Sequence, residues 1–147
     1  MAVTATIGSR SAAAVRAGYA VSAKAGGSGS VTILAPIQVL VAALLTAAQH
    51  LRCFTSRGAT GDRATRAVTL PVDASAPAGL EYWFCTSATE GLRIVANTGQ
   101  VIRLGDQVSA AAGYVETLAA NQWLCLYKLT TGVWAAKVYT TGWQVSA

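Results

Sequence analysis

Charge is scarce in this chain, and no hydrophobic run is long enough to explain the shortage by a membrane span. Charged residues make up 12% of the sequence and apolar residues 53%, whereas soluble domains usually carry about 25% charged residues. A domain of 147 residues is small for hiding so much apolar surface. We therefore expect either a membrane or a partner subunit to cover part of that surface.

No apolar stretch of the chain is long enough to form a membrane-spanning helix. The most apolar stretch is residues 31–48, which Pro36 and Thr46 interrupt, and its continuous apolar run covers only residues 39–45. A spanning helix needs roughly 20 mostly apolar residues, so we predict no membrane segment. The first residues also lack the basic cluster and apolar core of a secretory signal peptide, and we predict no export by that route.

Acidic residues are absent from residues 1–61, which hold five of the eleven basic residues. Acidic and basic residues balance over residues 62–147, so the whole net charge of +5 comes from the first part. Such asymmetry suits an arm that lies on an acidic surface. Because five charges over this length are sparse compared with a tract that follows phosphates, we predict an acidic protein surface rather than nucleic acid.

Residue types for catalysis and metal binding are few. His50 is the only histidine and follows an alanine-rich stretch, which favours a structural or surface role over catalysis. Wide spacing of the three cysteines favours buried thiols over a disulfide framework or a zinc site. We predict no catalytic residue, no cofactor, no metal ion and no enzymatic activity. The cysteines are Cys53, Cys85 and Cys125.

The carboxylates are dispersed beside turns and strand edges. Nothing in their spacing brings two of them to one cleft, as a glycosidase needs, and we expect solvated turn positions for all of them. Residues 26–29 are glycine-rich, but no lysine follows, so the chain has no phosphate-binding loop. The carboxylates are Asp62, Asp73, Glu81, Glu90, Asp106 and Glu116.

What the chain does contain divides into an arm and a domain. Residues 1–30 are rich in small residues and end in a Gly/Ser linker, and apolar side chains are scattered through them without a period. We predict an extended N-terminal arm that becomes ordered on a partner, the alternative being a mobile tail. The residues expected to bind the partner are Val3, Ile7, Arg10, Val15, Arg16, Tyr19 and Lys24.

Residues 31–147 have the pattern of one β-domain, with short apolar strands between turns. This pattern predicts an all-β fold, either a small sandwich or a jelly-roll or barrel-like domain. Asn97 and Gly99 suit a tight turn, so we predict a hairpin between the strands at 92–96 and 101–104. We predict a helical turn at 46–50, a loop at 73–79, and further strands at 31–34, 39–41, 67–70, 81–86, 113–118, 123–129 and 133–139.

The strand at residues 81–86 is bulky on both faces. Tyr82 and Phe84 alternate with Trp83 and Cys85, and such a strand is buried on both sides, either between layers or between subunits. The aromatic residues could stack sugars, but their place in alternating strands favours the core or a subunit interface. We assign to the core or interface Tyr82, Trp83, Phe84, Ile94, Trp123, Trp134 and Trp143.

The order of these motifs resembles a pattern in virion proteins of tailed bacteriophages, namely capsid decoration (cement) proteins, head fibres and domains of tail fibres and spikes. The resemblance covers about two thirds of the chain, from Leu45 to the end, and leaves the arm unmatched. The motifs are LTAAQ at 45–49, VTLP at 68–71, GLEYWF at 79–84, LRIVA at 92–96, IRLG at 102–105, AGYV at 112–115, WLCL at 123–126 and GW at 142–143.

This resemblance implies a compact β-domain that forms a homotrimer on the outside of a virion, made in the host cytoplasm. A threefold interface would bury apolar surface that a monomer leaves wet. The leading hypothesis is therefore a capsid decoration protein that binds the major capsid protein and stabilises the head. The alternatives are a tail fibre or spike module that recognises the host surface, and a carbohydrate-binding or hydrolytic domain of a non-viral protein.

Overall fold

We obtained a computed structural model that describes residues 3–6, 30–33, 35–60, 62–87 and 91–146. Among these residues, the regular secondary structure consists of β-strands and two single-turn 3-10 helices at Ala47–Gln49 and Asp73–Ser75. The strands are β1 (Val3–Thr6), β2 (Ser30–Ile33), β3 (Ile37–Gln38), β4 (Ala43–Leu44), β5 (Cys53–Thr55), β6 (Val68–Thr69), β7 (Glu81–Cys85), β8 (Leu92–Val95), β9 (Val101–Leu104), β10 (Gln107–Val108), β11 (Tyr114–Thr117), β12 (Trp123–Thr130), β13 (Val133–Tyr139) and β14 (Gln144–Val145).

The chain from β3 to β8 winds as a two-sheet coil. Successive strands alternate between a seven-stranded sheet, ordered β10-β9-β13-β12-β7-β5-β3, and a five-stranded sheet, ordered β14-β11-β8-β6-β4. Each turn of the coil therefore adds one strand to each sheet, and that strand pairs in parallel with the strand from the preceding turn. We name the turns coil 1 (β3 and β4), coil 2 (β5 and β6) and coil 3 (β7 and β8).

Antiparallel strands end the coil stack on one side. Strand β12 pairs antiparallel with β7, and β11 pairs antiparallel with β8. On the other side, β3 and β4 are the outermost strands of the two sheets, and within the described residues their outer edges are unpaired. The stack thus has one closed end and one open end, with Leu40, Val41 and Leu44 exposed at the open end.

Aligned apolar side chains form the core between the two sheets. In the five-stranded sheet, Val68, Ile94 and Val115 occupy one row across three strands, and all three are fully buried. In the seven-stranded sheet, Phe54 and Phe84 are in register, and their rings stack with centroids 5.7 Å apart. Burying such rows drives the coils together, because each row removes large apolar side chains from water.

The all-β prediction is confirmed, and two facing sheets fit the predicted sandwich. The jelly-roll and barrel-like alternatives are wrong, because the arrangement is β-solenoid-like. A jelly roll or an up-and-down barrel is built from antiparallel strands, whereas coils 1 to 3 stack their strands in parallel. Strands of two or three residues suit such coils, since each strand pairs with the strand of the neighbouring coil.

The predicted hairpin between residues 92–96 and 101–104 is also wrong. The turn forms, with the Gln100 amide donating to the Asn97 carbonyl at 2.9 Å, but β8 lies in the five-stranded sheet and β9 in the seven-stranded one. The side chain of Gln100 holds this corner, because it accepts from Trp134 Nε1 at 2.7 Å and donates to the Pro71 carbonyl at 2.9 Å. The turn therefore carries the chain from one sheet to the other.

Most other strand predictions agree with the structure to within two residues at each end. The exception is residues 39–41, which link β3 to β4 without strand structure. The predicted loop at 73–79 begins with a 3-10 helical turn. The helical turn predicted at 46–50 is present. Among the described residues, no helix is long and apolar enough to cross a membrane.

Candidate interaction surface

Strand β7 has two apolar faces with different surroundings. Tyr82 and Phe84 point into the core and are fully buried, whereas Trp83, between them, points away from the core and is partly exposed. Alternation along a strand places Glu81 and Cys85 on the same outer side as Trp83. The outer side of the seven-stranded sheet is therefore where the second apolar face of β7 lies.

Neighbouring strands extend this apolar surface. Trp83 is in register with Cys125 on β12, and Cys125 is in register with Val138 on β13. Trp123 and Tyr127 flank Cys125 at two residues on either side, and both are partly exposed. Val138 is 54% exposed, a high value for a large apolar side chain in a sheet. We name Trp83, Trp123, Tyr127 and Val138 the outer aromatic face.

One ion pair lies on this side of the sheet. Lys137 Nζ is 2.7 Å from Glu81 Oε1, and this hydrogen bond raises the pKa of Lys137. Close by, burial raises the pKa of the Cys125 thiol to about 12, with the Glu81 carboxylate adding to the shift. Lys137 is more than half exposed, so the pair lies at the water-exposed surface of the sheet.

Three thiols fill the gaps between the aromatic side chains. Cys53, Cys85 and Cys125 are all free and buried, as the sequence predicted. Cys53 Sγ and Cys85 Sγ lie 3.6 Å apart on the neighbouring strands β5 and β7. Sequence spacing gave no sign of this contact, since 32 positions separate the two cysteines.

The outer side of the five-stranded sheet has the opposite character. Glu116 accepts from Arg63 Nε at 2.7 Å and pairs with Arg93 Nη2 at 2.8 Å, and the Arg93 guanidinium lies 4.0 Å from the centre of the Tyr114 ring. The hydrogen bond from Arg63 holds the pKa of Glu116 below its usual value and raises that of Arg63. We name Arg63, Arg93, Tyr114 and Glu116 the charged face.

A small open cavity of about 270 Å³ lies at the edge of the sandwich, lined by Asp73, Ala76 and Lys128 among others. Lys128 is almost completely buried, and its ammonium group binds the Asp73 carboxylate and lies 5.3 Å from the Trp134 ring centre. The Gly132 amide donates to the same carboxylate at 2.7 Å, and the Lys128 hydrogen bond lowers the pKa of Asp73. The cavity's charges thus neutralise each other.

The prediction of solvated turn positions is wrong for Glu81 and Glu116, which lie in strands with side chains 17% and 13% exposed and pair with cations. Asp73 lies in a turn as predicted and pairs with Lys128. Glu90 lies outside the described residues. His50 has a structural role in the fold, since its Nδ1 accepts the Glu81 amide at 2.9 Å. Within the described ranges, no group of three His, Cys, Asp or Glu side chains could hold a metal ion.

The structure separates the residues assigned to the core or interface. Five of them lie in the core, and Trp83 and Trp123 lie on the outer aromatic face. Tyr127 is one of the aromatic residues whose place in alternating strands favours the core or an interface. Sequence reasoning missed Val138, although the two-faced pattern of β7 was a signal that neighbouring strands would carry apolar residues on the same side. The core residues are Tyr82, Phe84, Ile94, Trp134 and Trp143.

The predicted arm lies mostly outside the described residues. Val3 begins β1, which pairs antiparallel with β2. The other six predicted contacts, Ile7, Arg10, Val15, Arg16, Tyr19 and Lys24, are outside the described ranges. A scan against protein-family models and a search of curated proteins found no match for the chain.

Proposed function

We propose that the chain is a structural virion protein, a capsid decoration protein that acts as a homotrimer on the outside of a phage head. The observation that carries this proposal is the outer aromatic face, where Trp83, Trp123, Tyr127 and Val138 leave apolar surface in contact with water. The resemblance of the sequence motifs to those of tailed-phage virion proteins supports the same function.

Aromatic side chains on a rigid sheet suit a subunit interface. Interface cores are enriched in Trp and Tyr and depleted in charge, and such residues supply much of the binding free energy when a partner excludes water from them. Trp and Tyr side chains have only two rotatable bonds each, so ordering them at an interface costs little side-chain entropy. Self-association through this face would cover the apolar excess noted in the composition.

Attachment to the shell is assigned to the N-terminal arm. Its basic residues, Arg10, Arg16 and Lys24, would meet acidic groups on the major capsid protein, while Val3, Ile7, Val15 and Tyr19 would fill small pockets. Each arm would contribute weak contacts, and three arms on one trimer would bind together with a much higher avidity. The proposed mechanism is binding alone, with no chemical step.

Native mass and copy number test the proposal. Light scattering on the purified chain should give a trimer, and quantitation in purified particles should give hundreds of copies. A monomer, or a few copies per particle, would contradict the decoration role, and the latter result would favour the tail fibre or spike module. Deleting residues 1–30 should abolish shell binding while the trimer persists, and a truncated protein that still decorates shells would contradict the role of the arm.

The interface itself is tested by a matched pair of substitutions. Val138→Glu places a charge at the outer aromatic face, and Leu118→Glu places one at a similarly exposed site after β11, with the two side chains 54% and 58% exposed. Both variants should fold, because neither side chain is in the core. Only Val138→Glu should dissociate the trimer, and equal behaviour of the two variants would rule out this face as the interface.

A further inference from the structure

We propose that Cys53 and Cys85 form a peroxide-sensitive modification site, in which oxidation joins the two thiols in a disulfide that links coils 2 and 3. Small hydroperoxides are the oxidants that this site would take. The inference depends only on the contacts described below and is independent of the proposed virion function.

The two thiols are placed for bond formation by the parallel stacking of the coils. Cys53 is in register with Trp83, and Thr55 with Cys85, so the two cysteines lie diagonally on adjacent strands. Their sulfur atoms are 3.6 Å apart, and a disulfide needs about 2.05 Å. Both side chains lie on the outer side of the sheet, so bond formation requires rotation of the two side chains together with a small approach of β5 and β7, and the register of the strands is unchanged.

The environment makes Cys85 the nucleophile of the pair. The contact with Cys53, helped by the Thr55 hydroxyl, lowers the pKa of Cys85, and the same contact raises the pKa of Cys53. The thiolate is the reactive form of a cysteine, so these directions make Cys85 the more reactive thiol of the two. Cys125 is the natural comparison, because burial raises its pKa to about 12.

The chemistry takes two steps. In the first, the Cys85 thiolate attacks one oxygen of the peroxide, the O–O bond breaks, and Cys85 becomes a sulfenic acid while the other oxygen leaves as water after taking up a proton. In the second, the Cys53 sulfur attacks the sulfenic sulfur as its proton passes to the sulfenic hydroxyl, the S–O bond breaks, and that hydroxyl leaves as water. One peroxide is reduced to water and two thiols are oxidised to one disulfide.

The position of the pair restricts access. Cys53 and Cys85 are 5% and 8% exposed, so we expect only a small oxidant such as hydrogen peroxide to react with them. The new bond would close the chain between coils 2 and 3, which restricts the unfolded state. We expect the oxidised protein to melt about 10 °C higher than the reduced one, by chain-entropy arguments for a loop of this size.

The experiment treats the folded full-length protein with dilute hydrogen peroxide, quenches it, and counts thiols after denaturation. Loss of two thiols is expected, with a mass decrease of two hydrogen atoms and a peptide map that shows the Cys53–Cys85 bond. Cys125 should be alkylated at least about tenfold more slowly than Cys85 in the untreated protein, because it is completely buried and burial raises its pKa.

Two variants complete the test. Cys125→Ser is the matched control and should form the bond at the wild-type rate. Cys53→Ser should stop at the Cys85 sulfenic acid, which dimedone traps. A bond between Cys85 and Cys125, equal alkylation of all three cysteines, or no thiol loss before unfolding would each overturn the proposal. Peptide mapping of the wild-type protein decides the matter even if Cys53→Ser fails to fold.

Discussion

The two sheets share one core but present opposite surfaces to the outside. On the charged face, Glu116 satisfies two guanidinium groups, and Arg93 also covers the Tyr114 ring. On the outer aromatic face, Trp83 and its neighbours leave apolar surface exposed beside the Lys137–Glu81 ion pair. The same fold therefore has one outer surface whose charged groups are paired with each other and one outer surface whose apolar side chains would be stabilised by burial against a partner.

The largest effect should come from the core that both faces share. Phe84→Ala removes a fully buried ring that stacks on Phe54, and we expect a loss of about 3–5 kcal/mol in the free energy of unfolding. Trp83→Ala, one residue away on the outer side, should cost the isolated chain less than half as much. Urea denaturation at several protein concentrations measures both.

The dependence of the urea midpoint on protein concentration distinguishes a core residue from an interface residue. A trimer unfolds at a higher urea midpoint when it is more concentrated, so the wild type and Phe84→Ala should show this dependence. Trp83→Ala should lose it together with the trimer. If Trp83→Ala instead destabilises as strongly as Phe84→Ala at every concentration, Trp83 belongs to the core and the distinction between the faces of β7 fails.

The next largest effect on stability is expected at Gly91, beside the charged face. Gly91 has φ +64°, and a Cβ there would collide with the Thr117 carbonyl oxygen of β11. Gly91→Ala should therefore cost about 3 kcal/mol or more, from strain and from displacement of β11. Gly58→Ala is the control, because Gly58 has φ +75° with open space around it and should cost about 1 kcal/mol. Thermal unfolding distinguishes them, and equal losses would show that the collision is relieved cheaply.

Acid should weaken the charged face before it affects the aromatic one. The pKa of Glu116 is lowered in the folded chain, so its stabilisation is complete above the ordinary pKa of about 4.3 and disappears as pH falls below that value. The arginine contacts are worth about 2 kcal/mol at neutral pH. Melting temperatures from pH 7 to pH 3 should fall less steeply for Glu116→Gln than for the wild type. Parallel curves would show that other groups cause the acid sensitivity.

The smallest effect is expected at the ion pair beside the outer aromatic face. Lys137 is 56% exposed, and exposed pairs contribute little. Lys137→Met should change the free energy of unfolding by at most about 0.5 kcal/mol, while it enlarges the apolar surface. Sedimentation velocity should show equal or stronger self-association. Weaker association would mean that the charge of Lys137 takes part in the contact.

Much of the secondary structure follows from the sequence, but the connections between strands do not. Turn residues at Asn97 and Gly99 correctly predict a reversal of the chain. They carry no information on whether the chain stays in the same sheet, which the buried contacts of Gln100 decide. Strands of two residues, such as β3, are also too short to show a period, because a coil is stabilised by its neighbours rather than by its own pattern.

The candidate surface was predictable only in part. The alternation around Trp83 indicates two apolar faces, and this much is visible in the sequence. Which face meets the core depends on the register of β5, β7 and β12, and so does the contact between Cys53 and Cys85. Long-range pairs such as Lys128 with Asp73 are likewise set by the path of the coil, which no local pattern specifies.

Because the coils stack in parallel, the number of coils can change without a change in how the stack ends. Each coil adds one strand to each sheet and presents the same two edges to the next, while β11 and β12 end the stack at coil 3 alone. In such nearest-neighbour architectures, a repeat can be gained or lost without redesigning the ends. Descendants of this chain could therefore gain or lose whole coils and still end in the antiparallel pairing of β11 and β12.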